Sequence, residues 1–195
     1  MIKKLVVLGA ILAVITPILA HIRNVSWGES SLTQAIFPIF GLLAFTLLWL
    51  HAISGAFEEW LRERFNFDAF VHWTALTILV SILLHPLLLL ILIKFQVMML
   101  FQGPSLAIWL GIIGLALLLT YDIGKLLKKR QFFEKNWRAI LIISNIGFIL
   151  TFFHSFMLGS DLQTGFMRYL WAFYGTTAIL ALIYTYVIKR SIIKT

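Results

Sequence analysis

The chain alternates between long apolar runs and short polar segments. Six apolar runs stand out, at 4–21, 35–56, 69–94, 105–122, 138–158 and 168–188. Each run is close to the roughly 20 residues that a helix needs to cross a hydrocarbon core about 30 Å thick. The pattern predicts an all-α integral membrane protein, a six-transmembrane-helix bundle that forms a single transmembrane domain over residues 1–195. No internal repeat or linker stands out.

The first apolar run follows Met1-Ile2-Lys3-Lys4 and ends near Ala20, so it resembles a secretory signal peptide. Ile18 is a poor residue at the position two before a cleavage site. We therefore expect a retained helix, with a cleaved signal as the alternative.

Basic residues are unevenly divided between the two sides of the predicted bundle. Only Arg23, Lys94 and Arg168 fall on one side. The other side carries Lys3, Lys4, Arg62, Arg64, Lys125, Lys128, Lys129, Arg130, Lys135, Arg138, Lys189, Arg190 and Lys194. The positive-inside rule then predicts that both termini are cytoplasmic, in a bacterial inner cell membrane. A face turned toward anionic membrane lipid explains the net charge of +8, so we expect no nucleic acid partner.

The composition narrows the chemistry that the chain can carry. It is 61% hydrophobic and 12% charged, and it has no cysteine. Disulfides, iron–sulfur clusters, Cys-ligated zinc and covalent c-type heme are therefore excluded. Histidine remains as the strong ligand for a transition metal.

Two histidines lie deep in separate apolar runs. A rise of about 1.5 Å per residue places both His85, on the third span, and His154, on the fifth, about 25 Å from the basic side. Ionisable groups at such depth are costly and indicate function. The matched depth is what the two axial ligands of a b-type heme require. A helix–helix hydrogen bond is the alternative role for either residue.

The other histidines lie nearer the membrane surfaces. His51 and His72 fall at a similar depth toward the basic side, so they form a possible second, inner pair. A structural role is the alternative for His72. His21, at the far end of the first span, is expected to be a solvated interfacial residue.

The residues around the deep histidines resemble those of a known family. The third span reads Leu84-His85-Pro86, and the fifth combines Trp137-Arg138 with Phe153-His154 and Leu158-Gly159-Ser160-Asp161. Over about residues 35–190 the chain resembles the ferric reductase-like transmembrane family. Its members include the membrane parts of NADPH oxidases, six-transmembrane metalloreductases and the heme subunit of the periplasmic methionine sulfoxide reductase system.

The resemblance implies heme ligands at specific positions. His85 and His154 match the outer pair of the family, with heme iron as the bound metal, and His72 matches one inner ligand. Leu141 stands where the other inner ligand is expected, so the inner pair is broken. The resemblance thus implies one heme b, with a second only if His51 substitutes. His51 and His72 could instead line a site for FMN, FAD or quinone on the inner side.

The family resemblance leads to an expected function. We expect a transmembrane cytochrome b subunit of an oxidoreductase system, which acts in electron transport. Because no G-x-G-x-x-G follows a strand, the donor should be separate: a flavin, a flavoprotein reductase or a membrane quinol. The acceptor should be an extracytoplasmic redox partner. The alternative is a non-redox small membrane transporter or assembly factor with buried histidines.

Overall fold

The computed structural model describes residues 1–102 and 105–189, and these residues form helices and no strand. Six helices are long and apolar enough to cross a membrane, which confirms the predicted number of spans. Their bounds are α1 Ile2–Asn24, α2 Leu32–Ala56, α4 Phe67–Leu92, α5 Ser105–Leu126, α7 Trp137–Leu158 and α8 Gly165–Ile183. A π-helical turn over Tyr184–Ile188 extends α8. The short helices are α3 Glu58–Arg62, α6 Gln131–Lys135 and the 3₁₀ segments Val97–Gln102 and Ser160–Leu162.

Polar residues cap the N-termini of α2 and α4, close to the predicted starts of these spans. The Ser31 side chain accepts a hydrogen bond from the Gln34 amide at the start of α2. The Asn66 side chain does the same for the Ala69 amide at the start of α4. Each contact satisfies one of the amides that the first turn of a helix leaves unpaired.

Four of the spans form two antiparallel hairpins. In the first, α2 packs along α4, and in the second, α5 packs along α7. Gly114 and Gly147 lie where the second pair approaches most closely: a Cβ built at Gly147 would lie 2.8 Å from the Gly114 carbonyl oxygen. Small residues allow this close approach of helix backbones, as is common between membrane helices.

Aromatic packing joins α8 to the two hairpins. The Trp171 side chain is 1% exposed and stacks on Phe45 of α2, with ring centroids 4.3 Å apart. Its indole N–H donates to the Ser155 hydroxyl of α7 over 2.8 Å. Tyr174 stacks on Trp49 at the same centroid distance. α8 therefore fixes the position of α2 relative to α7.

A buried ion pair fastens α1 to the bundle. His21 is 6% exposed, so the expectation of a solvated residue is wrong. Its Nδ1 lies 2.6 Å from Asp161 Oδ2 and its Nε2 lies 2.9 Å from the Ala35 carbonyl oxygen. Both neighbours are acceptors, so both ring nitrogens donate. The imidazolium and carboxylate thus link α1 to the start of α2 and to the segment after α7.

The acid stability of the protein is expected to depend on Asp161. Burial alone would raise the pKa of this carboxyl, but the hydrogen bonds from His21 and Asn24 outweigh it and lower the pKa below its ordinary value. The stabilisation is therefore present above the ordinary aspartate pKa of about 3.9 and is lost as the pH falls through the lowered value. Thermal unfolding in detergent should show that Asp161→Asn costs roughly 3 kcal/mol at pH 6.

The difference between Asp161→Asn and the unaltered protein should shrink as the pH falls below about 4, because the unaltered carboxyl is then protonated too. A difference that stays constant between pH 6 and the acid limit would contradict the assigned ion pair.

Candidate functional site

His85 is held by a backbone carbonyl and a glycine of the neighbouring helix. Its Nδ1–H donates to the Phe37 carbonyl oxygen of α2 over 2.8 Å. The imidazole lies close against Gly41: a Cβ built there would be 3.0 Å from both Cε1 and Nδ1. The Phe37 ring lies 5.6 Å from the imidazole, centroid to centroid. The backbone of α2 thus fixes the rotation of the His85 ring.

His154 is held in the same way in the second hairpin. Its Nδ1–H donates to the Ala107 carbonyl oxygen of α5 over 2.7 Å. A Cβ built at Gly111 would lie 2.5 Å from Nδ1 and 2.6 Å from Cε1 of the ring. Any residue other than glycine at position 111 would therefore displace the imidazole.

The two histidine settings are structurally equivalent. The carbonyls lie 70 positions apart (37 and 107), as do the glycines (41 and 111), and the rings lie 69 apart (85 and 154). α4, which carries His85, packs mainly on α2, and α7, which carries His154, packs mainly on α5.

The hydrogen bonds define which ring nitrogens are available to a ligand. A carbonyl oxygen accepts only, so each Nδ1 carries the proton and each neutral ring keeps the Nε2 lone pair. Metal-binding histidines typically donate their second N–H to a carbonyl or carboxylate, which fixes the tautomer. His85 and His154 each have this arrangement.

The side chains near the deep histidines are engaged elsewhere. Ser155 donates to the Phe152 carbonyl and accepts from Trp171, and Thr151 donates to the Phe148 carbonyl. The Phe152 and Phe156 rings lie 5.6 Å apart and form an apolar wall on the same helix as His154. The backbone carbonyls, and not these hydroxyls, orient the two imidazoles.

His51 has the opposite tautomer. The Thr74 hydroxyl donates to the Phe70 carbonyl oxygen over 2.6 Å, so it accepts from His51 Nε2–H over 2.5 Å. Nδ1 of His51 therefore keeps its lone pair. His51 is an acceptor through the nitrogen next to the main chain.

The structure does not bring His72 together with His51. His72 is exposed, and its ring meets Trp73 edge-on at 5.4 Å between centroids. Within residues 1–102 and 105–189, the structure shows no contact between the two histidines. The inner pair inferred from depth thus gains no geometric support, although His51 itself faces the interior.

A cavity of about 190 Å³ lies between the two hairpins, closer to their basic end than the deep histidines. α2, α4, α5, α7 and the end of α8 all contribute to its wall. The polar lining residues are His51, Tyr121, Ser144, Asn145, Thr185 and Tyr186, and the apolar ones include Leu48, Ile78, Ile82, Leu118, Leu141 and Phe148. Leu141 thus borders this space, whereas His72 is not among the lining residues.

Metal binding by side chains alone has little support in the described part of the chain. It contains no group of three or more His, Cys, Asp or Glu side chains placed to hold an ion. Two imidazoles do suit an iron porphyrin, because the macrocycle supplies four further donors. The donor chemistry of His85 and His154 therefore fits heme.

Sequence reasoning found the two imidazoles and missed the glycines that hold them. Gly41 and Gly111 stand inside apolar runs, where glycine disfavours a helix, and this is the signal that could have pointed to them. No family model, curated protein or solved structure matches the chain.

The tautomers can be measured directly. In protein labelled with [¹⁵N]histidine and reconstituted in bilayers, solid-state NMR should show Nδ1–H signals for His85 and His154 and an Nε2–H signal for His51. Assignment through His→Gln variants would identify each ring. An Nε2–H tautomer at His85 or His154 would contradict the carbonyl contacts.

Proposed function

We propose that the protein is a transmembrane b-type cytochrome subunit in which His85 and His154 are the axial ligands of one heme. The observation that carries this proposal is the matched setting of the two rings. Each presents Nε2, each is fixed through Nδ1–H on a carbonyl, and each lies against a glycine. A purely structural histidine needs only one hydrogen bond, and it does not require an equivalent on another helix.

The chain's own residues would prepare the site before any cofactor binds. The carbonyls of Phe37 and Ala107 would hold the proton of each neutral imidazole on Nδ1 and fix the rotation of each ring, which lowers the entropy cost of ligation. Phe152 and Phe156 contribute apolar surface that excludes water. A bound b-type heme supplies one-electron redox chemistry, with a potential that axial ligands and burial tune.

The proposed direction of electron flow is based on the position of the two histidines along their helices. His85 and His154 lie about 25 Å along their helices from the basic end, by helical rise. We propose that the basic end faces the cytoplasm and that the acceptor is an extracytoplasmic redox partner. The donor is a flavin, a flavoprotein reductase or a quinol that acts from the basic side.

Heme absorbance tests this proposal. Purified protein should show a Soret band and a reduced α-band, with one heme per chain by pyridine hemochrome assay. His85→Ala and His154→Ala should each lower the bound heme by about tenfold or more, because one axial ligand is lost. His72→Ala makes the same chemical change on an exposed site and should leave the spectrum intact.

A colourless preparation from heme-sufficient cells would refute the cytochrome and favour the transporter or assembly-factor alternative. Two hemes per chain would contradict the single site.

A glycine series tests the setting of the rings. Gly111→Ala places a methyl group 2.5 Å from His154 Nδ1 and should displace the ring from the Ala107 carbonyl, with loss of most of the bound heme. Gly41→Ala brings its methyl group only to 3.0 Å from His85 and should have a smaller effect. Gly9→Ala on α1 meets no atom within 4 Å and is the control. Heme content that is equal in all three variants would show that the glycines do not position the rings.

A further inference from the structure

We propose that Phe152 is a positioning residue for the two deep histidines, because its ring sets the separation between the hairpins that carry them. The inference deepens the proposed function, on which it rests, by naming the contact that holds one axial ligand at the right distance from the other. The separation itself is a property of the chain and is measured independently of heme.

The contacts that hold each imidazole do not define the distance between the two rings. His85 is held by α2 and His154 is held by α5, so each set of contacts lies within one hairpin. The hairpins pack far less extensively on each other than the helices within each hairpin do. The contacts that join the hairpins near the histidines therefore determine how far apart the imidazoles lie.

Phe45 and Phe152 join the hairpins close to the level of the deep histidines. Phe45 lies one helical turn after Gly41 on α2, and Phe152 lies two residues before His154 on α7. Their rings stack with centroids 6.0 Å apart and an angle of 25° between the ring planes. Phe148, one turn before Phe152, places a further ring 5.1 Å from Phe45. Phe45 is 4% exposed, so this contact between the hairpins is closely packed.

Helix α8 limits the space around the Phe152 ring. A Cβ built at Gly175 would overlap this ring, so the ring occupies the room that a side chain of α8 would need. One turn earlier on α8, Trp171 stacks on Phe45 with centroids 4.3 Å apart. Phe152 therefore contacts the backbone of α8 and a side chain of α2 at once, and it cannot move closer to α8.

Gly175 extends the pattern of glycines that accept rings. Three rings lie against a glycine of another helix: His85 against Gly41, His154 against Gly111 and Phe152 against Gly175. A side chain at such a position could rotate away, whereas the backbone of a helix cannot. The pattern groups Phe152 with the two imidazoles as a ring whose position the backbone fixes.

A loss of ring volume at Phe152 is expected to change the separation of the hairpins. Protein interiors are close-packed, so a smaller side chain leaves space that the neighbouring helices partly fill. Because α2 fixes His85, any shift of α2 relative to α7 moves His85 relative to His154. A pair of ligands has to be held to within about 0.5 Å of its productive geometry, so a small shift is sufficient to impair ligation.

The test measures the separation with pairs of spin labels on the full-length protein in lipid nanodiscs. The chain has no cysteine, so labels can be attached to single introduced cysteines. Labels at the exposed positions Leu87 of α4 and Met157 of α7 report the distance across the hairpins. Labels at Leu106 of α5 and Met157 report the distance within the second hairpin.

Double electron–electron resonance should show a distance across the hairpins that is shorter by about 1 Å in Phe152→Leu. The distance should be longer in Gly175→Ala, whose methyl group pushes the Phe152 ring away from α8. The distance within the second hairpin should stay unchanged in both variants. Gly175→Ala removes no packing atom, so it tests the same contact without a loss of core volume. Phe153→Leu makes the same change at the next residue of α7, which is 46% exposed, and is the matched control.

Electron paramagnetic resonance of the ferric protein with bound heme gives a second readout. Phe152→Leu and Gly175→Ala should each show a high-spin signal, because one imidazole no longer reaches the iron. The unaltered protein and Phe153→Leu should lack this signal. A loss of general stability alone would not change the spin state of the protein that remains folded.

The inference is overturned if neither variant changes the distance across the hairpins, if both distances change equally, or if Phe153→Leu has the same effect as Phe152→Leu. Changed distances across the hairpins in a colourless protein would support the spacing role of Phe152 and refute the proposed function. Heme absorbance with unchanged distances would reject this inference and leave the proposed function standing.

Discussion

The hydrogen bond from an imidazole Nδ1–H to a backbone carbonyl of the adjacent helix is the contact on which the site depends. An isolated membrane histidine can rotate about two side-chain bonds and can carry its proton on either nitrogen. The carbonyls of Phe37 and Ala107 remove both freedoms for His85 and His154. Gly41 and Gly111 make the contact geometrically possible, because a side chain at either position would occupy the space of the ring. The backbone of each hairpin thereby fixes the imidazole of its own histidine, His85 in the first hairpin and His154 in the second.

The two hairpins are equivalent at the level of the deep histidines and differ toward the basic end. An offset of 70 residues relates His51 to Tyr121, and an offset of 69 relates His72 to Leu141. No imidazole is therefore matched by another at the second level. The space between the hairpins at that level is a cavity with polar groups on both walls.

The sequence predicted the spans well, because hydropathy over about 20 residues is a property of composition and does not depend on packing. It also gave His85 and His154 a matching depth, since depth follows from counting residues along a helix. It could not give the rotation of each helix, because these helices are apolar on nearly every side and periodicity marks no inner face. The positions of His72, Gly41 and Gly111 relative to their neighbours all depend on that rotation.

The same limit explains why the sequence predicts a solvated His21, whereas the structure buries it. A histidine at a span end is ordinarily interfacial, and its partner Asp161 is 140 residues away along the chain. Only the tertiary arrangement brings the end of α1 to the segment after α7. The signal for a partner of His21 was Asp161 in the Leu158-Gly159-Ser160-Asp161 motif. This acidic residue follows directly on a membrane span, and a carboxylate that is buried there needs a cation.

The geometry of α4 also explains why His85 and His72 do not both face the interior of the bundle. Ala75, Ile78 and Ile82 form the face of α4 that lines the cavity. At 100° per residue, His72 lies roughly 90° away from the centre of that face, which agrees with its exposure. Turning His72 inward would require a rotation of α4 by a similar angle. The rotation would carry His85 away from the Phe37 carbonyl and Gly41, so an inward His72 is incompatible with the observed setting of His85.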